Sequence, residues 1–258
     1  MILIVRRMEK RHIGFVAVDP LLEVSEFVAR EKARGEKVGV IFDLDSTLFC
    51  VSPRTQAILR SLADEAEFSS THPDLSGILR DIEVLPTDWG IRAVLERSRA
   101  PGPLEAFLKV RDYWRKHFFA NHYLDRDIIY PAANEYVQHL ASLGAEILYL
   151  TGRNEGSMRP GTIRVLRQWG FPLTDESLLH MKPSDVQTDE GFKAERLAEI
   201  APRYQHLWFF ENEPLIIDQV RLKMPLVRIV YVNSVHSGRA TPPVDLPSIG
   251  MSYSSFKK

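Results

Sequence analysis

Residues 37–50 read KVGVIFDLDSTLFC. Val38 to Phe42 form a short, nearly continuous apolar run that ends in two acids, Asp43 and Asp45. Such a run suits a strand buried on both faces, as in the interior of a parallel sheet. Side chains alternate along extended chain, so Asp43, Asp45 and Thr47 can point to one side. Two carboxylates this close repel, and neither ionises comfortably alone. A divalent cation removes that conflict, and an oxygen-rich site selects Mg²⁺.

Working outward, Leu21 to Arg34 carry apolar side chains at helical spacing, with Gly35 as a stop. From Pro53 to Asp127 helical periods dominate: Thr55–Phe68, Leu75–Ile82, Trp89–Arg97 and Leu104–Tyr123, separated by proline breaks. After Pro131, helix and strand alternate again. Ala132–Leu143 leads to the strand AEILYLTG, Phe192–Ile200 leads to HLWFFENEP, and VRIVYV is a last strand. This alternation predicts an α/β, Rossmann-like parallel sheet with right-handed crossovers. The expected division is a core of residues 1–52 and 128–258, with 1–35 as an N-terminal extension. A helical cap of residues 53–127 is inserted into it.

Ligands of open parallel sheets bind beyond the carboxyl ends of the strands. The first strand delivers Asp43, Asp45, Ser46 and Thr47 there, the second Thr151, Gly152 and Arg153, the third Glu211, Asn212 and Glu213. Thr151 and the neighbouring backbone N–H groups can hold phosphate oxygens, and a lysine would complete the charge balance.

IFDLDSTLF, ILYLTGR, a helix-borne lysine and FFENEP, in that order, resemble the four motifs of the haloacid dehalogenase-like (HAD) phosphatases, and the resemblance spans Lys37 to about Val232. It implies that Asp43 is the nucleophile forming an aspartyl-phosphate. It makes Asp45 the acid that protonates the leaving oxygen and the base that activates water. Thr151 and the lysine would bind the phosphoryl group, with Gly152 beside them, and Asp43, Asp45 (through its main-chain carbonyl) and Glu211 would hold Mg²⁺; Arg153 reads equally as a further phosphate contact or as the partner of a nearby acid. Lys182 and Lys193 compete for the lysine position; Lys193, which opens the helix feeding FFENEP, is preferred. Glu211 stands where the family more often has Asp, and Glu213 is a possible substitute.

Other residues carry weaker expectations. Arg54 and Arg159 enter the same mouth but read as surface arginines, Cys50 as a packed thiol and His236 as a turn histidine. The aromatics of RDYWRKHFFANHYLDRD, residues 111–127, read mainly as cap core at helical spacing. A nucleotide or aryl phosphate surface is the alternative.

The 258 residues include 45% hydrophobic and 26% charged side chains, which excludes disordered, collagen-like and disulfide-framework classes. Lys+Arg 33 against Asp+Glu 34 gives a formal net charge of -1, so no basic excess points to nucleic acid. One cysteine cannot form an internal disulfide, and no apolar run reaches membrane-spanning length. The start, MILIVRRMEKRH, has its apolar run before its basic cluster, the wrong order for a signal peptide, so the cytoplasm is the expected location. The resulting expectation is a Mg²⁺-dependent phosphomonoesterase for a small phosphorylated metabolite, with no nucleic-acid or membrane partner. A phosphotransferase or mutase would use the same residues, and a non-catalytic phospho-ligand or partner-binding protein of this fold is the alternative from another class. Oligomeric state is not legible.

Overall fold

The computed structural model describes residues 19–184 and 186–257; the basic cluster Arg6, Arg7, Lys10 and Arg11 lies outside them. Helix α1 (Pro20–Ala33) starts at Asp19, whose carboxylate accepts the Leu21 N–H at 2.8 Å, with Pro20 in the first turn. This is a standard N-terminal cap. Strand β1 (Val38–Phe42) is buried along its whole length. The chain then forms β2 (Phe49–Cys50) and a run of helices: α2 (Ser52–Ala63), α3 (Ala66–Thr71), α4 (Pro73–Asp81), α5 (Gly90–Arg97) and α6 (Leu104–Phe118). A 3₁₀ turn over Asn121–Arg126 leads to β3 (Ile128–Ile129), which pairs antiparallel with β2. The helical segment thus leaves and re-enters through one short ribbon, Phe49 opposite Ile129 and Cys50 opposite Ile128.

Beyond the ribbon come α7 (Ala133–Ser142), β4 (Glu146–Asn154), α8 (Glu155–Gln168), β5 (Leu179–Lys182), α9 (Asp189–Ile200), β6 (His206–Glu211), α10 (Pro214–Lys223), β7 (Arg228–Val232) and β8 (Ser248–Ile249). Six strands form one sheet in the order β5-β4-β1-β6-β7-β8, with every pairing parallel. β1 lies between β4 and β6, so the acids that follow it emerge at the middle of the sheet.

The two faces divide the apolar residues by parity, as the period-two geometry of a strand requires. Val38, Val40 and Phe42 pack with Leu21, Val24 and Val28 of α1 and with Tyr136, Val137 and Leu140 of α7. The N-terminal helix therefore covers a face of the sheet rather than its edge. Ile41 packs on the other face with Leu148, Phe209, Leu197 and Ile217, under α9 and α10. Gly39 shares that second face because no side chain fits there: a Cβ would lie 2.8 Å from Tyr204 and Leu207.

The helical segment has a core of its own, including Leu59, Leu62, Phe68, Leu79, Val94 and Val110. Its 3₁₀ exit is fastened to α8, where the Gly161 N–H donates to Asn121 Oδ1 at 2.7 Å. A Cβ on Gly161 would meet that oxygen at 2.6 Å, so only glycine permits the contact.

Edge strand β5 carries a pH-sensitive group. Burial, reinforced by Arg196, Arg203 and Arg159, pushes the His180 imidazole down to about 4, and its buried Nε2 makes no hydrogen bond. The folded pKa lies below the unfolded value of about 6.5, so the stability linked to neutral His180 is present above pH 6.5 and lost as the pH falls towards 4. The urea midpoint of the wild type should therefore fall more steeply between pH 6.5 and 4.5 than that of His180→Leu. Parallel pH dependences would exclude His180 as a source of acid sensitivity.

Candidate active site

The turn after β1 is tight. The Leu44 carbonyl accepts the N–H groups of Leu48 and Phe49, both at 2.9 Å, and Ser46 adopts the left-handed conformation with φ 64°. That conformation is uncommon for a residue with a Cβ. It is held by the Ser46 N–H donating to the Phe49 carbonyl at 2.7 Å. Thr47, fully buried, donates its hydroxyl to Asn212 Oδ1 at 3.2 Å, and its carbonyl accepts the Tyr253 hydroxyl at 3.1 Å. Thr47 thus ties the β1 turn to the end of β6, fixing Asp43 relative to Glu211.

Lys193 from α9 completes that pair. Its ammonium donates to Asp43 Oδ1 at 2.6 Å and to Glu211 Oε2 at 2.7 Å, with all three side chains nearly or fully buried. Lys182 lies elsewhere, bound to Asp189 Oδ1 at 2.6 Å. The other Glu211 oxygen accepts the N–H groups of Asn212 and Glu213 at 2.8 and 2.9 Å, so Glu211 both orders its turn and faces the lysine. Glu213 is spent on a different task, accepting the N–H and hydroxyl of Ser237 at 2.9 and 2.7 Å.

Burial raises the Asp43 carboxyl, with Lys193 opposing and Asp45 adding to the rise; burial likewise raises Glu211, with Lys193 opposing and Asp43 adding. Burial also works against the Lys193 ammonium, but Asp43 and Glu211 outweigh it and hold the charge in place. When all three ionise, two carboxylates surround one ammonium and a negative charge is left over. An all-oxygen donor set with excess negative charge fits a hard divalent cation. Asp43 and Glu211 are the carboxylates that would contribute to such a set, while the described residues contain no group of three or more ligating side chains placed around one metal position.

Thr151, buried at the end of β4, adjoins a break in register: Thr151 pairs with Met181 of β5, but the next pairing is Asn154 with Lys182. The irregularity falls on Gly152 and Arg153, and such bulges re-aim side chains near functional sites. Gly152 lets the Asp189 carboxylate come close: a Cβ there would lie 2.8 Å from it and would push that side chain aside.

Asp45 has a different environment from Asp43. Its Oδ2 accepts from Arg54 at 2.9 Å and its Oδ1 from Arg153 Nε at 2.9 Å. Behind them lies Asp127, fully buried, at 2.8 Å from Arg153 and 3.0 Å from Arg54. Burial pushes the Asp45 carboxyl up, yet Arg153 and Arg54 together hold it well below the usual carboxylate range. Burial raises Asp127, and its two arginines only partly offset that.

One sequence expectation changes here and an open one is narrowed. Arg54, read as a surface side chain, is wholly buried because Asp45 and Asp127 compensate its charge and Phe118 covers its guanidinium at 4.0 Å. Arg153, read as either a phosphate contact or the partner of a nearby acid, pairs with Asp45 and Asp127 and also donates to the Thr162 hydroxyl. Asp127 went unrecognised because its partners lie 73 and 26 positions away in the sequence, and nothing around it suggests them. Arg159 donates to Glu155 and to the Leu179 and Glu176 carbonyls. Cys50 is packed beside the Ser52 hydroxyl at 3.0 Å, and His236 accepts the Gly238 N–H at 3.1 Å.

Asp43, Asp45, Thr151, Gly152, Lys193 and Glu211 all line a single cavity of about 420 Å³ between the strand ends and the helical segment. A sequence model of haloacid dehalogenase-like hydrolases matches residues 38–180, more than half the chain, running from β1 to β5. The chain belongs to the haloacid dehalogenase-like hydrolases. Among solved structures, a candidate phosphatase from Clostridium difficile superposes with a TM-score of 0.54 at 15% identity, covering 86% of this chain and 97% of that one. Protein Tyrosine Kinase A from Mycobacterium tuberculosis gives 0.51 at 16% identity, covering 83% and 93%. Both likenesses concern the fold. No functionally curated protein matches the sequence significantly. In this HAD-like hydrolase the family match begins on β1, the strand that presents Asp43 and Asp45.

Proposed function

We propose that this HAD-like hydrolase is a Mg²⁺-dependent phosphomonoesterase acting on a small phosphorylated metabolite through an aspartyl-phosphate on Asp43. The observation that carries this reading is the buried Asp43–Lys193–Glu211 cluster facing the same cavity as Asp45 and Thr151. Lys193 neutralises and orients Asp43, leaving one carboxylate oxygen without the ammonium contact to attack phosphorus. Attack forms the Asp43–phosphorus bond and breaks the bond to the ester oxygen, which leaves as the alcohol once it gains a proton from Asp45. Water then attacks phosphorus, giving a proton to Asp45, and Asp43 departs with inorganic phosphate released. Thr151 and the Gly152 N–H support the phosphoryl oxygens. Bound Mg²⁺, held by Asp43, the Asp45 carbonyl and Glu211, supplies charge neutralisation for the incoming phosphate. The helical segment, residues 53–127, serves as a cap that excludes bulk water.

Arg54 and Arg153 hold Asp45 as a carboxylate in this structure, the form the second half-reaction needs. Protonation of Asp45 ahead of the first half-reaction must therefore work against both arginines. Phosphate release should be measured with p-nitrophenyl phosphate and a panel of phosphate esters, with Mg²⁺ and with chelator. Release is expected with Mg²⁺, should fall to background in chelator and should return when Mg²⁺ is restored. Release indifferent to chelator would remove the metal from the reading, and no release from any ester would remove the phosphatase.

A further inference from the structure

The wall that the helical segment gives to the cavity has a chemistry of its own. The helical segment contributes Val84, Trp89, Ile91, Trp114, Phe118 and Phe119 to its wall. Trp114 and Phe118 lie 4.6 Å apart between ring centroids, and Phe118 and Phe119 meet edge to face at 5.1 Å. The Trp114 indole N–H donates to Thr55 Oγ1 at 3.2 Å, and Phe118 rests on the Arg54 guanidinium that grips Asp45. These rings are therefore held in place before any ligand arrives. Trp89 and Phe119 nonetheless remain 54% and 41% exposed, large apolar surfaces left in water at the mouth of the site. Isolated apolar residues on a surface need no explanation, but a cluster lining a cavity marks a binding face.

The polar groups on the same wall are already committed. Asp88 binds Arg97 at 2.7 Å and the Leu85 N–H at 2.8 Å, Thr55 holds Trp114, and Ser52 sits against Cys50. Arg92 is the exception: it pairs through Nε with Glu96 at 2.7 Å but keeps its terminal N–H groups in water. A hexose or other polyol needs several unspent donors and acceptors to replace its hydration, and burying hydroxyls without them is costly. A planar ring needs only aromatic faces, and stacking on them contributes about 1–3 kcal/mol.

We infer that the cap wall selects phosphate monoesters whose alcohol carries a planar ring, stacked against Trp89, Trp114 and Phe119, over sugar and open-chain phosphates. The inference rests on the phosphatase reading for its substrates, and ligand binding tests it separately. Ring-bearing esters come from two sources, simple aryl phosphates and nucleoside monophosphates, and the assay contains both.

Turnover should be compared for phenyl phosphate, AMP, glucose 6-phosphate and glycerol 2-phosphate with Mg²⁺ present. The kcat/KM for at least one ring-bearing ester should exceed that for both ring-free esters by about tenfold or more, the scale of one stacking contact. A lead for phenyl phosphate assigns an aryl source and a lead for AMP a nucleoside source. Trp89→Ala should reduce the ring-to-polyol ratio about tenfold; Phe119→Ala provides a second variant at an exposed ring.

Binding of benzylphosphonate and ethylphosphonate, measured calorimetrically without turnover, provides the independent arm. Benzylphosphonate should bind about tenfold tighter, and Trp89→Ala should reduce the difference. If that preference appears while no ester is hydrolysed, the ring site stands and the catalytic reading falls. If esters are hydrolysed but ring-bearing and ring-free compounds perform alike in both arms, the phosphatase stands and this inference is overturned.

Discussion

Asp43→Asn should lower kcat for phosphate release by about 10⁴-fold or more, the scale on which removing a covalent nucleophile acts. The amide is nearly the same size and keeps an oxygen that can accept from Lys193, so the geometry of the site has little reason to change. It cannot form the acyl-phosphate at a useful rate. The stability change should have the opposite character. Asp43 is a buried carboxyl raised by burial and by Asp45, and Lys193 only partly compensates. Making it neutral relieves repulsion with Asp45 and Glu211 while costing the lysine one ionic contact out of two. The urea midpoint should therefore stay within about 1 kcal/mol of the wild type, or rise, as happens when a strained catalytic group is removed. Activity retained by Asp43→Asn would overturn the nucleophile assignment. Activity lost together with several kcal/mol of stability would show Asp43 to be structural.

The largest stability effect is expected elsewhere, at Arg153→Met. Two buried or half-buried carboxylates, Asp45 and Asp127, face two arginines, and the four charges sum to zero. Removing Arg153 leaves Arg54 to serve both acids, with Asp127 in a place no water reaches. Breaking a buried ion pair from one side typically costs about 3–5 kcal/mol, far more than the net worth of the intact pair. A denaturant titration should show a loss of that size. Adding Asp127→Asn should then recover more than about 1 kcal/mol, because the orphaned charge is gone and neighbouring sites are not additive. If the two substitutions simply add, the network is not a unit and each contact acts alone.

The parallel sheet is legible in the sequence because β1, β4 and β6 are buried on both faces and therefore read as apolar runs. The acids and threonine that follow them reach one cavity for the same reason: strands of a parallel sheet all end on the same side. Helix boundaries are less legible. Thr55–Phe68 reads as one helix but breaks at Asp64 and Glu65 into α2 and α3, and α8 begins at Glu155 and runs through Pro160, a residue that ordinarily marks a helix boundary. Those ends depend on tertiary contacts such as the Asn121 clasp on Gly161, which local propensity does not register. The surroundings of Asp45 are the least legible part. An arginine becomes a buried one only when distant acids meet it, and the linear pattern around Arg54 or Asp127 contains no sign of that meeting. The aromatics near Trp114 repeat at helical spacing whichever way they face. Trp114 turns out to pack against the segment's core and to line the cavity as well.

The β2–β3 ribbon brings the two ends of the helical segment side by side, so at first sight one whole segment could be traded for another across evolution by cutting and rejoining two paired residues. The charge network forbids so simple an exchange. Arg54 lies just inside the segment and Asp127 just before its return strand, and together they balance the core's Asp45 and Arg153. A transplanted segment that kept an acid near its exit but lacked the arginine near its entry would leave two acids facing the single Arg153. Exchange of the helical segment is therefore constrained at its neck, where Arg54 and Asp127 must come together or not at all, and is free of this charge constraint beyond it.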